Sequence, residues 1–208
     1  GYSSAASDVY KRQLAAMQHE AGSIAQKVGD LYKIAMDSVK LNKEGVAPIQ
    51  AELDQIAALK DKKEVYPLLA EMYKKGIAAY LALYVGADEM NSSMNAVQMA
   101  QYGLSMGDRD YYLLDDEATV KIREAFKEHV KKMYQLAGFD AATAEQGMKT
   151  VMDVETRLAK AFRSRVELRD PHANYNKMAM ADIKKQYASF DWDAYLKGLD
   201  LNLSLIHI

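Results

Sequence analysis

This chain of 208 residues contains no cysteine. Disulfide bonds and thiolate metal sites are therefore excluded. The absence does not identify a cellular compartment, because many secreted bacterial proteins also have no cysteine. The sequence also lacks any run of about 18 apolar residues, so we predict that no part of the chain spans a membrane.

A strong charge imbalance is missing as well. The formal net charge is -2, and the sequence has no basic block. We therefore predict no nucleic-acid partner, because such proteins usually present a basic face. The first residues do not have the basic-then-apolar layout of a signal peptide.

Most of the chain has the apolar spacing of amphipathic helices. The two longest are predicted from near Asp115 to Gly138 and from near Asp140 to about Leu168. The predicted buried stripe of the first consists of Ile122, Phe126, Val130, Met133 and Ala137. An earlier helix has Ser23 as its N-cap, and its predicted buried stripe consists of Ile24, Val28, Leu31 and Ala35. Near the end of the chain, Phe190 and Trp192 are predicted apolar anchors for a last helix.

One stretch departs from the helical pattern. Residues 81–85 alternate between two faces, as in a β-strand, and a second apolar run covers residues 96–100. The polar residues 86–95 between them predict a wide loop. The expected fold class is therefore mainly α, a bundle-like lobe of several helices with one small β-hairpin.

Three stretches carry a family resemblance. They are VGADEMNSS with GLSMGDRDYYL inside residues 81–113, GDLYKIAMD at 29–37, and RDPHANYNKM at 169–178 followed by FDWDAYL at 190–196. In their order along the chain, they resemble the neprilysin-like zinc metallopeptidases, a family that includes the endothelin-converting enzymes. Gly107 is a departure, since many family members have proline there. The resemblance covers roughly residues 17–200.

The resemblance implies two mainly helical lobes around a central cavity. One lobe carries zinc and cleaves peptides on the amino side of hydrophobic residues, and the other caps the cavity. The chain matches part of the capping lobe, which implies an extracytoplasmic metalloendopeptidase with zinc in the full-length parent and none in this chain. Its expected partners are the catalytic lobe of the same polypeptide and, in the parent, peptide substrates. The alternative is a stand-alone helical module that binds a peptide or protein without catalysis.

The residues themselves offer no zinc site. Such an enzyme needs His-Glu-x-x-His on a helix, with both histidines on one face. After His19, the position of the second histidine is Ser23, and His129 has no histidine four residues away on either side. His172 lies in a predicted loop, and His207 lies near the end of the chain. We therefore predict no catalytic and no metal-binding residue here, and no serine lies in a nucleophile elbow.

A polar-aromatic cluster follows the predicted hairpin and gives the candidate site. An arginine between two aspartates can form ion pairs that fix a turn, while tyrosine rings pack and their hydroxyl groups find partners. The cluster is either a structural lock beneath the hairpin or a surface that faces the catalytic lobe or the substrate cavity. An interdomain salt-bridge network is the preferred interpretation of the arginines near residues 163–170. The candidate residues are Asp108, Arg109, Asp110, Tyr111, Tyr112, Arg169, Asp170 and Asn176.

Both ends of the chain are expected to be non-native. Residues 1–13 and 203–208 fall outside the resemblance and look like translated adaptor sequence. The part assigned to the capping lobe is residues 14–202.

Overall fold

The computed structural model describes residues 2–201 and 205–207, with the side chains of residues 6–201. The chain divides into two compact units, the first ending at Ala51 and the second beginning at Glu52. Helices predominate and one hairpin accompanies them, which confirms the predicted mainly α class.

The described elements follow one another along the chain, with short 3-10 turns at Ala47–Ile49, Lys62–Glu64 and Glu167–Arg169. They are α1 (Tyr2–Ala16), α2 (Ile24–Met36), α3 (Ser38–Glu44), α4 (Gln50–Ala57), α5 (Val65–Lys74), β1 (Leu81–Asp88), β2 (Asn91–Gln101), α6 (Asp110–Leu113), α7 (Glu117–Leu136), α8 (Ala141–Ala161), α9 (Pro171–Asn174), β3 (Lys177–Ala179), α10 (Met180–Gln186), α11 (Trp192–Gly198) and β4 (Leu205–His207).

In the first unit, α1 packs against α2. The two helices come close at the buried Gly29, where a Cβ atom would lie 2.7 Å from the Leu14 carbonyl oxygen. Ser23 caps α2 as predicted, because its Oγ accepts a hydrogen bond from the Gln26 N–H at 3.2 Å. The predicted buried stripe is wrong at Ile24 and Leu31, which are 81% and 69% exposed. Their exposure follows from the packing, since α2 meets α1 through the face that carries Gly29.

The hairpin of the second unit is tighter than predicted. Strands β1 and β2 are antiparallel, with Leu81 opposite Gln101 and Ala87 opposite Asn95. Only residues 89 and 90 connect them, so the wide loop predicted over residues 86–95 is wrong. Asp88 closes the turn, because its Oδ1 accepts hydrogen bonds from the N–H groups of Met90 and Asn91 at 2.9 and 3.1 Å. The polar residues 91–93 and 95, which also suggested a loop, lie instead on exposed strand positions, which an antiparallel sheet tolerates.

Two short strands extend the hairpin within the described residues. Strand β4 runs parallel to β2, and β3 runs antiparallel to β4, which gives the order β1-β2-β4-β3. Strand β4 lies in the segment 203–208, whose non-native origin stays a prediction. Residues 203, 204 and 208 of that segment, like residue 1 of the other predicted tail, lie outside the described residues.

The outer edge of β1 is covered by a side chain. The Tyr73 hydroxyl group donates a hydrogen bond to the Leu83 carbonyl oxygen and accepts one from the Leu83 N–H at 2.9 Å. Unpaired backbone groups on an edge strand otherwise invite pairing with another chain. Tyr73 therefore ties α5 to the hairpin and closes part of its free edge.

The main core lies where the hairpin meets α5, α10 and α11. Its buried members are Ala70, Leu83, Val97, Met180, Ile183, Trp192, Tyr195 and Leu196. Phe190 packs against these residues, with its ring centroid 4.5 Å from that of Trp192 and 5.4 Å from that of Tyr195. Phe190 and Trp192 thus act as the predicted anchors of the last helix among the described residues, α11.

The two longest helices form close to the predicted bounds, with one difference. Helix α8 ends at Ala161 and not near Leu168, because Phe162 adopts an extended backbone conformation. Ala144 and Met148 of α8 are buried. The stripe of α7 is buried only in part, since Ile122 and Met133 are 44% and 52% exposed while Phe126, Val130 and Ala137 are half-buried. Helix α7 therefore keeps part of its apolar face uncovered within the described residues.

The hairpin tip is fastened by a buried carboxylate. Asp88 is 1% exposed, and its side chain forms an ion pair with Lys177 Nζ at 2.5 Å and accepts a hydrogen bond from the Tyr175 hydroxyl group at 3.1 Å. The bond to Asp88 raises the pKa of Lys177, while burial and then Asp88 raise the pKa of Tyr175. The tip is thus locked to the start of β3.

We predict that Asp88→Asn lowers the free energy of unfolding by about 1–3 kcal/mol, because it removes the buried charge that pairs with Lys177 and replaces one acceptor oxygen with an NH2 donor. Urea denaturation followed by circular dichroism measures the change. Asp193→Asn is the matched control, since it removes the exposed ion pair with Lys184 and should change stability much less. Equal losses in the two variants would show that the Asp88 lock adds nothing beyond a surface pair.

Candidate functional site

The candidate cluster begins just after the open end of the hairpin. Gly103 adopts a φ of +103°, and a Cβ atom there would lie 1.8 Å from the Ala79 carbonyl oxygen. Only glycine can occupy this position without moving the backbone. The chain before β1 and the chain after β2 therefore run in close contact, and the second leads into α6.

A buried hydrogen-bond network joins this segment to α8. Ser105 donates to Glu155 through both its Oγ, at 2.7 Å from Oε1, and its backbone N–H, at 3.1 Å from Oε2. The Tyr112 hydroxyl group also donates to Glu155 Oε2 and accepts from the Met106 N–H at 3.0 Å. Tyr112 and Glu155 are only 5% and 8% exposed. The network satisfies both oxygens of a buried carboxylate, which makes it a structural lock.

Sequence reasoning named Tyr112 but missed Glu155. The signal was present, because Glu155 is an acidic residue within the apolar stripe that contains Met148, Val151 and Leu158. A carboxylate on the buried face of a helix needs hydrogen-bond donors from elsewhere in the fold. Which donors these are could not be read from the helix alone.

The environment of Tyr112 favours its neutral form. Burial raises the pKa of Tyr112 above its ordinary value, and the hydrogen bond to Glu155 raises it further. At neutral pH the hydroxyl group is therefore a stable donor to the carboxylate. No residue of the network has an arrangement that would activate it as a nucleophile.

The charged residues of the cluster pair differently from the expectation. Asp108, buried, forms an ion pair with Arg165, and its Oδ1 accepts from the Asp110 N–H at 2.9 Å. Arg109 pairs with neither neighbouring aspartate, and its nearest carboxylate oxygen belongs to Glu167, at 3.9 Å from NH1. Its Nε is buried without a hydrogen-bond partner in the described part of the chain. Ion pairs between Arg109 and its two flanking aspartates are therefore not what fixes this turn.

The remaining candidates do not join the cluster around Asp108. Asp170 caps α9, because its Oδ1 accepts from the N–H groups of His172 and Ala173 at 3.0 and 3.1 Å. The Asn176 amide donates weakly to the Ala173 carbonyl oxygen at 3.4 Å. The Arg169 side chain has no ion pair among the residues that the structure describes. Tyr111, half-buried, contributes only its backbone carbonyl group, which accepts from Arg123 at 3.3 Å. An interdomain role for these residues stays a prediction.

Two cavities flank the hairpin in the second unit. The first, of about 520 Å³, lies between the open end of the hairpin and α8, with Tyr80, Tyr102 and Glu155 on its walls. The second, of about 640 Å³, lies on the outer face of the hairpin, beside the segment 161–176. Both volumes fall within the range of about 300–1,000 Å³ that is typical of ligand sites.

The described residues do not fit a zinc ion. Within them, no group of three histidine, aspartate or glutamate side chains is placed to hold a metal. The ring nitrogen of His19 lies 2.8 Å from the Leu14 carbonyl oxygen, whereas His129 and His172 are exposed. The described residues therefore offer no position for a metal-dependent catalytic step. Within residues 2–201 and 205–207, no helix combines the length and apolarity needed to cross a bilayer.

Comparisons with known proteins confirm the family resemblance. The N-terminal model of peptidase family M13 matches residues 3–206. The fold is similar to that of the Mycobacterium tuberculosis zinc metalloprotease Zmp1 in its open state, with a TM-score of 0.81 and 25% sequence identity over 99% of this chain. Rat endothelin-converting enzyme-like 1 is 28% identical over 184 residues, and bovine endothelin-converting enzyme 1 is 30% identical over 121 residues.

The chain is much shorter than these relatives. The match to the rat protein covers 82% of this chain but only 24% of the rat protein. The match to the bovine protein covers 58% of this chain but only 16% of the bovine protein. The match to Zmp1 covers 32% of the Zmp1 chain. The similarity therefore concerns one part of each relative.

We predict that Tyr112→Phe lowers the free energy of unfolding by about 1–3 kcal/mol, because Glu155 loses a donor and the Met106 N–H loses its acceptor. Tyr111→Phe is the matched control, since the Tyr111 hydroxyl group has no hydrogen bond within the described residues. Denaturant unfolding compares the two variants. If Tyr111→Phe lowered the free energy of unfolding as much, the effect of Tyr112→Phe could not be assigned to the Glu155 network.

Stability should also fall at alkaline pH. Burial raises the pKa of Tyr195 to about 12, and the pKa of Tyr112 is raised as well. Above a pH of about 10, the unfolded chain binds fewer protons at these tyrosines than the folded chain, so the free energy of unfolding decreases as pH rises. Unfolding measured between pH 9 and 11, a range set by the ordinary tyrosine pKa of about 10, should show a smaller decrease in Tyr112→Phe. An unchanged slope in that variant would contradict the prediction.

Proposed function

The chain belongs to peptidase family M13, and from this membership we propose that it forms part of the lobe that caps the substrate cavity of a zinc-dependent metalloendopeptidase. The observation that carries the proposal is the match of the family's N-terminal model to residues 3–206. The similarity in fold to Zmp1 over nearly the whole chain supports it. In this role the lobe would restrict the cavity to peptides and small unfolded chains.

The catalytic zinc would belong to a part of the parent protein that this chain does not contain. The described residues provide no set of zinc ligands. The chain alone would then be inactive, and its first partner would be the catalytic lobe of the same polypeptide. Peptide substrates would be partners of the parent, and the expected location is extracytoplasmic.

Exposed apolar side chains support a partner surface in the second unit. Leu114, Ile122, Met133, Leu136 and Phe139, at or near α7, are all between 44% and 65% exposed. Isolated exposed apolar residues are ordinary, but a helix whose periodic apolar stripe stays uncovered indicates a surface that another element covers. The capping lobe would place this face against further parts of its own polypeptide.

The exposed face is also compatible with the alternative, a stand-alone helical module that binds a peptide or protein without catalysis. Sequencing of the natural gene beyond the codon for Asp200 separates the two. We expect a downstream His-Glu-x-x-His motif with a later glutamate ligand, as zinc peptidases of this kind require. A stop codon shortly after Asp200 would favour the module and contradict the proposal.

We further predict that the purified chain neither hydrolyses an unstructured peptide nor binds zinc in a one-to-one ratio. The physical reason is the lack of a ligand set among the described residues. A quenched fluorescent peptide and zinc titration calorimetry measure the two properties. Hydrolysis that a chelator abolishes would place the chemistry on this chain and overturn the assignment to another lobe.

A further inference from the structure

The larger cavity of the second unit is a groove on the outer face of the hairpin. Strands β1 and β2 form its floor, with Tyr84 and Gln98 on neighbouring strands, and the segment 161–176 forms one wall. Gln98 lies across Gly86, where a Cβ atom would be 3.1 Å from its Nε2. Its Nε2 donates to the Ala87 carbonyl oxygen at 2.9 Å. Because Glu89 at the hairpin tip and Gln101 at the open end both line the groove, it follows the direction of the strands.

The two ends of the groove carry opposite charges. Glu89 lies in the turn at the hairpin tip, and Arg163 lies beside Gln101 at the open end. Within the described residues neither side chain forms an ion pair. The hydrogen bonds from Ser164 to Glu167 contribute most to lowering the pKa of Glu167, and Arg163 contributes less. A carboxylate and a guanidinium that form no ion pair within the described residues thus face one groove.

The backbone of Arg163 is held in place by the Gln101 side chain. Its N–H donates to Gln101 Oε1 at 2.9 Å, and its carbonyl oxygen accepts from Gln101 Nε2 at 3.1 Å. One guanidinium nitrogen, NH1, donates to the Ala173 carbonyl oxygen at 2.8 Å and to Asn174. Its other donors have no partner in the described part of the chain. A fixed guanidinium with free donors suits a carboxylate ligand.

The walls between the charges present aromatic surface. Tyr84 and Tyr187 are 52% and 44% exposed, and both line the groove. Tyrosine rings provide contact area at a low cost in side-chain entropy, which makes them frequent in binding surfaces. Together with the Gln98 amide, they offer contacts both to apolar side chains and to peptide groups.

We propose that this groove binds a short extended peptide with free ends, its terminal ammonium group at Glu89 and its terminal carboxylate at Arg163. The choice of a peptide, rather than another zwitterionic ligand, rests on the proposed function. The orientation rests on the placement of the two charges at opposite ends of the hairpin. Binding here requires no zinc and no residue of a catalytic lobe.

The test uses the whole chain and a short unstructured peptide of alanine and leucine, with titration calorimetry. N-terminal acetylation and C-terminal amidation should each weaken binding about two- to fivefold, the range of an exposed ion pair. In Glu89→Gln, acetylation should cause no further loss. In Arg163→Gln, amidation should cause none, whereas Arg163→Lys should keep the dependence on the carboxylate.

Two matched controls separate the groove from general effects. Tyr84→Ser should weaken binding, while Tyr102→Ser, at a tyrosine of similar exposure in the other cavity, should not. Glu20→Gln removes an exposed carboxylate of the first unit and should leave the effect of acetylation intact. Circular dichroism verifies that each variant is folded, and Glu89→Gln, in an exposed turn, remains informative if the Arg163 variants do not fold.

Lack of peptide binding, or equal effects of blocked ends in the wild type and in Glu89→Gln, would overturn the proposal. Such a result would leave the capping-lobe assignment standing, because that assignment is tested by the downstream gene sequence. Conversely, a stop codon after Asp200 together with end-dependent binding would support a peptide-binding module. The two failures are therefore distinguishable.

Discussion

A carboxylate on the inner face of α8 holds the candidate segment in place. Glu155 accepts hydrogen bonds from the hydroxyl and N–H groups of Ser105 and from the Tyr112 hydroxyl group. A buried carboxylate without donors would cost several kcal/mol, about the desolvation penalty of an unpaired ion. The fold therefore has to bring the segment after β2 onto this helix, and the position of α6 follows from that constraint.

The hairpin is fastened at several points, which makes it a stable wall. Asp88 fixes its tip to Lys177, Tyr73 covers part of its outer edge, and Ser105 connects its open end to Glu155. A wall fixed at both ends can hold side chains on its outer face in constant positions. Because the hairpin is attached at its tip and at its open end, Glu89 and Arg163 are kept at opposite ends of the groove.

The exposed apolar face of α7 connects the fold with family membership. A helix with a periodic apolar stripe gains most of its stability by burying that stripe. Here the stripe stays uncovered at Ile122 and Met133, while the chain spans about a third of the Zmp1 chain that it matches. Under the proposed role, further polypeptide would bury these side chains.

The sequence by itself determined the features that depend on neighbouring residues. Helical spacing, the Ser23 cap, the alternation in residues 81–85 and the family motifs predicted the helices, the hairpin and the family, because these features depend on residues close together in the chain. It named Asp108 and Tyr112 for the site, and Arg165 among the arginines near residues 163–170, but it did not pair Arg165 with Asp108 and it missed Glu155. Tertiary structure alone decided those pairs, the tight turn at Asp88 and the exposed side of α7. The reason is physical: Ser105 and Glu155 are separated by 50 positions, and only packing brings such groups together and leaves others in solvent.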